Sequence, residues 1–374
     1  MTKKLGFGLM RLPLTNANDQ KSVDLEQVKN MVDTFLSKGF TYFDTAYMYH
    51  DFQSECVVRE ALVKRHTRNS FTLTTKLPLA LMNSAAEQEK IFAEQLQKCG
   101  VEYFDYYLLH AMTKANYEKA KKWDSFGFLA QKKKEGKIRH IGFSFHDNAQ
   151  LLDEILTAHP EVEYVQIQLN YLDWDNASIQ SRKCYETIRK HGKQVLVMEP
   201  VKGGTLNKVP QKVVDLFKTK EPTMSIPSWA IRFAASHEGI FMVLSGMSSL
   251  EQLEDNTGYM ENFRPFTQEE YATVAKAVDI INEAVLVPCT ACHYCTKGCP
   301  KKIAIPEYFA LLNNDHQAKM KGFSTQKFYY EMGYTDNGKA SACIACGQCE
   351  RICPQHIPVI KWLKEVARTF EGTK

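Results

Sequence analysis

Eight of the eleven cysteines in this 374-residue sequence fall between residues 289 and 353. Their spacing is regular: gaps of two, two and three residues separate four successive cysteines, a proline follows the fourth, and the whole pattern occurs twice. The two copies are Cys289, Cys292, Cys295, Cys299 and Pro300, and Cys343, Cys346, Cys349, Cys353 and Pro354. Thiolates spaced in this way allow a short loop to wrap one iron–sulfur cubane.

This duplicated motif is the pattern of a bacterial two-cluster ferredoxin, in which the fourth cysteine of each copy serves the other cluster. The spacing therefore predicts two [4Fe–4S] clusters whose ligands cross between the copies. The predicted ligands are Cys289, Cys292, Cys295 and Cys353 for cluster one, and Cys343, Cys346, Cys349 and Cys299 for cluster two. Residues 308–312 and 327–332 predict helices between the copies, so we expect an α-rich ferredoxin-like domain over residues 285–374.

Two other metal chemistries share parts of this pattern. Zinc also binds paired Cys-x₂-Cys elements, but it needs four ligands and has no use for the third cysteine or the Cys-Pro ending. Residues 289–293 also match the Cys-x-x-Cys-His signature of haem attachment. Here that signature lies inside the longer duplicated motif, so iron–sulfur ligation is the favoured interpretation.

Composition limits the partners and the compartment. The formal net charge is +4, and runs such as residues 132–134 are typical of solvated helix faces, so nothing indicates nucleic-acid binding. The first apolar stretch is six residues long and ends at Arg11, which is too short for a signal peptide. No stretch has the length of a transmembrane helix, and we expect no membrane partner. Without such segments we expect a cytoplasmic protein, and because the cytosol keeps thiols reduced, its cysteines are not expected to form a disulfide framework.

Upstream of the duplicated cysteine motif, strand patterns alternate with amphipathic helical patterns eight times. The predicted strands are residues 5–10, 41–45, 71–77, 103–109, 140–144, 164–170, 194–198 and 240–245. The predicted helices are residues 23–38, 54–64, 84–99, 116–134, 149–158, 177–190, 225–236 and 250–256. Eight such units have the size and rhythm of a TIM barrel, and no Gly-x-Gly-x-x-Gly indicates a Rossmann sheet. The sequence thus predicts an α/β fold with a (β/α)₈ barrel over residues 1–284.

Chemically useful side chains stand where three successive predicted strands end, which is where barrel enzymes place their active sites. Asp44 and Tyr49 follow the second strand, Lys76 ends the third and His110 ends the fourth. A carbonyl that accepts hydride gains negative charge on oxygen and needs a proton. We expect the Lys76 ammonium to lower the pKa of Tyr49 from about 10 toward neutrality, with Asp44 holding the lysine charged. His110 would orient the carbonyl oxygen.

With these residues in place, roughly residues 3–260 resemble the aldo-keto reductase superfamily, and the whole chain resembles its ferredoxin-fused bacterial branch. The matching stretches include Asp44-Thr45-Ala46-x-x-Tyr49, Leu108-Leu109-His110, Gly142-x-Ser144, Gln168-x-x-Tyr171, Glu199-Pro200-Val201-x-Gly203-Gly204 and Gln252-Leu253-x-Asp255-Asn256. The resemblance implies a catalytic tetrad of Asp44, Tyr49, Lys76 and His110. It also implies nicotinamide contacts from Ser144, Gln168 and Met198. The other implied cofactor contacts are Pro200, Val201, Lys202, Gly203, Gly204, Gly246, Gln252 and Asn256.

Three departures from the family pattern bear on the cofactor. Phe145 follows Ser144 where many members have asparagine, and Met198 replaces an aromatic ring at the nicotinamide. The family's basic residues for the 2′-phosphate of NADP are missing, since Gly246 and Gln252 lie in a region without them. Without a guanidinium fork the extra phosphate loses its best partner, so we expect NADH to serve as well as NADPH or better.

We therefore expect an oxidoreductase that reduces a small-molecule carbonyl with NAD(P)H, or oxidises an alcohol in reverse. Its two clusters also point to a redox partner protein. Two alternatives stay open: an electron-transfer protein whose barrel is a scaffold for a cofactor or partner, and a redox-sensing binding protein. The tetrad favours the enzyme, whereas the cluster motif favours a one-electron role. No flavin motif bridges two-electron and one-electron chemistry.

Overall fold

The computed structural model describes residues 3–176, 179–283, 285–289, 291, 293–318, 324–333, 335–353 and 355–372. Eight parallel strands close into a barrel in chain order, and β8 pairs with β1. The strands are β1 Leu5–Gly8, β2 Tyr42–Asp44, β3 Thr72–Leu77, β4 Phe104–Met112, β5 Ile138–Phe145, β6 Tyr164–Gln168, β7 Gln194–Met198 and β8 Ile240–Gly246. The predicted (β/α)₈ barrel is confirmed.

Helices alternate with these strands. They are α1 Leu25–Ser37, α2 Tyr49–Phe52, α3 Ser54–Val58, α4 Ala86–Cys99, α5 Lys114–Lys122, α6 Ser125–Lys134, α7 Ala149–Ala158, α8 Ser181–Lys190, α9 Gln211–Lys220, α10 Ile226–Ala235, α11 Leu250–Glu261 and α12 Gln268–Asn282. The prediction of one helix over residues 116–134 was wrong. Asp124 takes a left-handed backbone, with φ of 49°, and divides the segment into α5 and α6.

A glycine in β5 allows close packing inside the barrel. The buried interior cluster includes Tyr42, Leu108 and Tyr164. Gly142 in β5 lies so near β6 that an added Cβ would stand 2.4 Å from the backbone oxygen of Tyr164 and 2.8 Å from its ring. A side chain at residue 142 would therefore push β5 and β6 apart, and glycine allows the two strands to approach.

Contacts within the chain define two compact units. Among the described residues, the first contains 3–175, 179–201 and 221–272, and the second contains 176, 202–220 and those from 273 onward. The sequence predicts a single boundary between residues 284 and 285, whereas the contacts divide the chain within α12 and add residues 202–220 to the second unit. The predicted boundary was based on the change in cysteine content along the chain. No such change occurs within α12 or at residues 202–220. The boundary at 284 stays a prediction.

The second unit is rich in helices, as predicted. Its cysteine-containing part holds α13 Tyr294–Lys297, α14 Ile305–Ala318, α15 Thr325–Gly333, α16 Gln348–Ile352 and α17 Val359–Glu371. The predicted helices at 308–312 and 327–332 lie within α14 and α15. Buried Leu363, Val366 and Phe370 give α17 an apolar face that packs with Tyr308 of α14 in one core. Within the described residues, no helix is both long and apolar enough to cross a membrane.

Candidate active site and cluster cavities

A buried ion pair joins the carboxyl ends of β2 and β3. Lys76 Nζ lies 2.6 Å from Asp44 Oδ1 and 2.7 Å from the backbone oxygen of Thr45. The side chains of Lys76 and Asp44 are only 1% and 3% exposed. Burial lowers the pKa of Lys76, but the Asp44 carboxylate and the Tyr49 hydroxyl raise it more, so the pKa lies above its ordinary value. The lysine is therefore a buried ammonium at neutral pH.

The hydroxyl of Tyr49 is within reach of this ammonium. Lys76 Nζ lies 3.5 Å from Tyr49 Oη and 5.0 Å from the centre of the tyrosine ring. Burial raises the pKa of Tyr49 above 10.0, and the Lys76 ammonium offsets only part of that rise. The expectation that Lys76 brings this pKa toward neutrality was therefore wrong, because desolvation of the phenolate outweighs the attraction. Tyr49 keeps its proton at neutral pH, which a proton donor requires.

His110 completes the group at the end of β4. Its ring centre lies 6.1 Å from that of Tyr49, edge to face. Burial holds the pKa of His110 well below 6.5, and the charges of Lys76 and His146 lower it further, so the imidazole is neutral. Its buried Nδ1 atom has no hydrogen-bond partner in the described part of the chain. A buried nitrogen in this condition is suited to bind a polar ligand atom.

The backbone turns left-handed directly after three predicted site residues. These are His50 after Tyr49 (φ 51°), Ala111 after His110 (φ 55°) and Glu199 after Met198 (φ 56°). A left-handed residue other than glycine costs roughly 1–2 kcal/mol. Such strain collects at functional sites that the surrounding structure holds in place. At His50 the support is visible, because its ring accepts from Leu12 N at 3.2 Å and contacts the Gln20 backbone oxygen at 3.1 Å.

A second buried carboxyl group lies behind β3 and was not among the predicted site residues. Glu55 is fully buried, and its Oε1 accepts hydrogen bonds from Thr75 Oγ1 at 2.7 Å and Gln95 Nε2 at 2.6 Å. Gln95 also donates to the backbone oxygen of Lys76 at 3.1 Å and accepts from Tyr107. This network fixes the backbone that carries Lys76. The sequence gives little indication of this network, because Glu55 and Gln95 are simply two polar residues on the inner faces of amphipathic helices.

Ser144 and Gln168 lie at the ends of β5 and β6. The Ala111 backbone N–H donates to Ser144 Oγ at 2.8 Å, which leaves the serine hydroxyl proton for a ligand. Gln168 is buried, and its Nε2 donates to Asp173 at 2.7 Å. Since Ala111 follows His110, the structure brings Ser144 next to the tetrad. Gln168 pairs in register with Met198 of β7, so both reach the same edge of the barrel.

The other predicted cofactor residues are spread over three segments. Pro200 is buried and Val201 half-buried after β7, whereas Gly246 is exposed at the end of β8. On α11, Gln252 Oε1 accepts from Ser248 N at 2.8 Å. Asn256 is buried, donates to Ser245 Oγ at 2.9 Å and accepts from Tyr259 at 2.6 Å. The Asn256 amide is thus engaged within the chain, and its cofactor contact stays a prediction.

Lys202, Gly203 and Gly204 belong to the second compact unit. They begin a short stretch, Lys202–Asn207, in which all three have positive φ, at 50°, 62° and 99°. Lys202 is buried. Glycine suits the latter two positions because it adopts such a backbone without steric cost.

The described cysteines of the duplicated motif line two cavities within the second unit. One is lined by Cys299, Cys343, Cys346 and Cys349. The other is lined by Cys289, Cys295 and Cys353. Cys299 thus lies with the second copy and Cys353 with the first; Cys292 lies outside the described residues. Each group of thiols surrounds a space. Among the described residues, no three His, Cys, Asp or Glu side chains lie close enough together to hold a single metal ion. Such spaces suit a multinuclear cluster with thiolate ligands.

Comparison with known proteins agrees with this geometry. The model of the aldo/keto reductase family matches residues 4–279. The chain belongs to the aldo/keto reductase family. A 4Fe-4S dicluster domain matches residues 288–357. The chain is therefore an aldo/keto reductase-type oxidoreductase with a C-terminal iron–sulfur domain.

Two curated proteins are related to this aldo/keto reductase. An oxidoreductase of Schizosaccharomyces pombe, described as uncharacterised, is 24% identical over 266 residues, which is 68% of this chain and 81% of that protein. A probable aldo-keto reductase of Glycine max is 29% identical over 180 residues, which is 46% of this chain and 48% of that protein.

Solved structures of the family share the barrel. The aldo-keto reductase AKR11C1 of Bacillus halodurans, in its holo form, matches with a TM-score of 0.58 and 24% identity, covering 73% of this chain and 91% of that one. A Klebsiella pneumoniae aldo-keto reductase in complex with NADPH matches with a TM-score of 0.56 and 19% identity, covering 74% of this chain and 90% of that one. At these identities the likeness shows the fold.

Proposed function

We propose that the barrel reduces a small carbonyl compound with NAD(P)H, and that Tyr49 donates the proton. One observation carries the proposal: a buried ammonium, Lys76 Nζ, contacts the Asp44 carboxylate at 2.6 Å and Tyr49 Oη at 3.5 Å. A structural ion pair would not need a protonated phenol beside it. Together with neutral His110, these groups form a site that can supply one proton and then stabilise the charge left behind.

Two of the residues proposed for the cofactor, Gln168 and Met198, share a register position at one edge of the barrel. Ser144 has a free hydroxyl proton for a carboxamide oxygen, and half-buried Met198 can pack on the nicotinamide through its polarisable sulfur. Bound NAD(P)H supplies the hydride that reduces the carbonyl carbon. The K. pneumoniae enzyme binds NADPH, which supports a nicotinamide cofactor for this barrel.

Each tetrad residue has a separate task. Neutral His110 donates a hydrogen bond to the carbonyl oxygen and holds it beside Tyr49. As negative charge grows on that oxygen, the proton moves to it from Tyr49 Oη. Lys76 then stabilises the phenolate, and Asp44 keeps Lys76 charged. Because Tyr49 has a raised pKa, it is a weak acid in the resting site, so proton transfer depends on the charge that develops on the substrate.

The second part of the proposal concerns the dicluster domain. The two cavities hold one [4Fe–4S] cluster each, with Cys353 completing the first set of ligands and Cys299 the second. A [4Fe–4S] cluster exchanges one electron at a time. A redox partner protein has access to this region, because Tyr294, Ile344 and Ile352 beside the cysteines are 57%, 57% and 51% exposed. Cysteines held as cluster thiolates fit a cytoplasmic location, where thiols stay reduced.

Tyr49→Phe tests the proposed reduction. Removing the hydroxyl should lower carbonyl turnover by about a hundredfold or more, because general acid catalysis contributes that much, while the dissociation constant for NADH stays close to wild type. A loss of turnover of that size at unchanged cofactor affinity is the expected result, measured on anaerobically purified protein.

Tyr47→Phe is the matched control. Tyr47 stands two residues earlier, and its hydroxyl donates to Glu94 at 3.0 Å, away from Lys76. It should keep most of its turnover. Near-normal turnover by Tyr49→Phe would refute the tetrad and favour the electron-transfer role, with the barrel as a scaffold.

A further inference from the structure

Arg11 stands beside the predicted cofactor edge of the barrel, although it is outside every motif used to predict the site. It follows β1 by three residues, and β1 pairs with β8. Its side chain lies on Gly246, where an added Cβ would stand 3.3 Å from the Cβ and Cδ atoms of Arg11. Ser248 Oγ donates to the Arg11 backbone oxygen at 2.7 Å. The loop that follows β8 thus holds both the backbone and the aliphatic stem of Arg11 in place.

The guanidinium of Arg11 has few hydrogen-bond acceptors around it. Its nearest carboxylate is Glu199, with Nη2 and Oε1 4.0 Å apart and the two side chains 27% and 17% exposed. In the described part of the chain, Arg11 donates no hydrogen bond. By contrast, Arg65 on the outside of the barrel contacts Asp33 at 2.6 Å. No guanidinium nitrogen of Arg11 is among the fully buried, unpartnered atoms of the described chain, so its five N–H donors are open to solvent or to an anion.

The segment that should meet the cofactor phosphates lacks a cation of its own. Residues 246–256 contain no lysine or arginine and three carboxylates, from Glu251, Glu254 and Asp255. An anionic dinucleotide lying over this segment would meet net negative charge. Arg11 is a cation placed on the segment from another strand, and its planar fork matches phosphate oxygens.

We propose that Arg11 binds a phosphate group of the nicotinamide dinucleotide. It supplies from the end of β1 the positive charge that the loop after β8 lacks. The inference rests on the proposed function only for the identity of the cofactor. Phosphate occurs in two places: the pyrophosphate, which NADH and NADPH share, and the 2′-phosphate, which only NADPH has. The two cofactors therefore distinguish the sources.

Binding measurements test this assignment without turnover. The holoprotein is titrated with NADH and with NADPH, and protein fluorescence gives each Kd at low and at high salt. The variants are Arg11→Met, which keeps the aliphatic stem over Gly246, and Arg11→Lys, which keeps the charge. Arg65→Met, which removes a well-paired guanidinium from the outside of the barrel, is the matched control.

Arg11→Met should raise Kd by roughly tenfold to a hundredfold, as expected for the loss of a charged hydrogen bond. Arg11→Lys should retain more affinity, and Arg65→Met should match wild type. Binding to Arg11→Met should also depend less on salt. Equal losses for both cofactors place the pyrophosphate at Arg11, and a loss confined to NADPH places the 2′-phosphate there.

Unchanged Kd values for both cofactors in Arg11→Met would overturn the proposal and leave Arg11 as an ion-pair partner of Glu199. The proposed reduction fails by a different result. If the wild type binds a dinucleotide but reduces no carbonyl, the catalytic role of Tyr49 is refuted, while the Kd of Arg11→Met still decides the role of Arg11.

Discussion

Replacing Asp44 by asparagine removes the only carboxylate that contacts Lys76 in the described structure, at 2.6 Å, and changes little in shape. The ammonium keeps two neutral partners, the Thr45 backbone oxygen at 2.7 Å and Tyr49 Oη at 3.5 Å. Because the Lys76 side chain is 1% exposed, water cannot replace the lost charge. Breaking a buried pair in this way costs about 3–5 kcal/mol.

The cost should depend on pH. In the wild type the pKa of Lys76 is raised, so its stabilising contribution is complete below the ordinary value of 10.5 and is lost as pH rises through the folded-state value. In Asp44→Asn only Tyr49 still opposes the effect of burial, so we expect the pKa of Lys76 to fall below 10.5. The variant's deficit should therefore be largest near neutral pH and should shrink as the pH rises toward 10.5.

Urea unfolding of the holoprotein, followed by tryptophan fluorescence at about pH 7 and about pH 9.5, measures both effects. Asp33→Asn is the matched control, since Asp33 contacts Arg65 at the same 2.6 Å but is 43% exposed, and exposed pairs contribute about 0–1 kcal/mol. Adding Lys76→Met to Asp44→Asn should restore about 1 kcal/mol or more by removing the unpaired charge. If Asp44→Asn costs no more than Asp33→Asn, or costs the same at both pH values, the reasoning about this pair is wrong.

Two further predictions concern the clusters and the barrel. Wild-type protein should bind about eight irons, and Cys353→Ala should disturb the same cluster signal in electron paramagnetic resonance as Cys289→Ala; a match to Cys343→Ala would mean that each copy serves its own cluster. Gly142→Ala should destabilise the barrel in thermal unfolding by about 1–3 kcal/mol through overpacking against Tyr164. Gly258→Ala, on α11 with no atom within 4 Å of the new Cβ, should instead stabilise it by about 0.5–1 kcal/mol; equal effects would exclude the clash.

The barrel and the position of Lys76 beside Asp44 were predictable because parallel strands buried on both faces produce apolar runs, and their carboxyl ends meet at one edge. Lys76 lies beside Asp44 because each follows this rule at the end of its strand. The pKa of Tyr49 was not predictable in the same way. The sequence shows the nearby charge of Lys76, whereas the larger effect is desolvation, which depends on how deeply the phenol is buried.

Other parts of the site depend on contacts between distant segments. In the sequence Glu55 looks like any other helix residue. Its role follows from the hydrogen bonds that Thr75 and Gln95, 20 and 40 residues away, donate to its carboxyl group. The residues around Arg11 in the sequence do not indicate a binding role. That role is suggested only by the contact between its side chain and Gly246. Sequence patterns report periodicity within an element, and neither of these contacts lies within one element.

Ile305, at the start of α14, lines both thiol cavities and is 1% exposed. One aliphatic side chain thus forms a wall common to the two predicted cluster sites. Two clusters bound in these sites would together store two electrons, where each alone stores one. A nicotinamide also transfers two electrons in a single step. With both proposed clusters bound, the second unit would therefore have the same electron capacity as the cofactor proposed for the first.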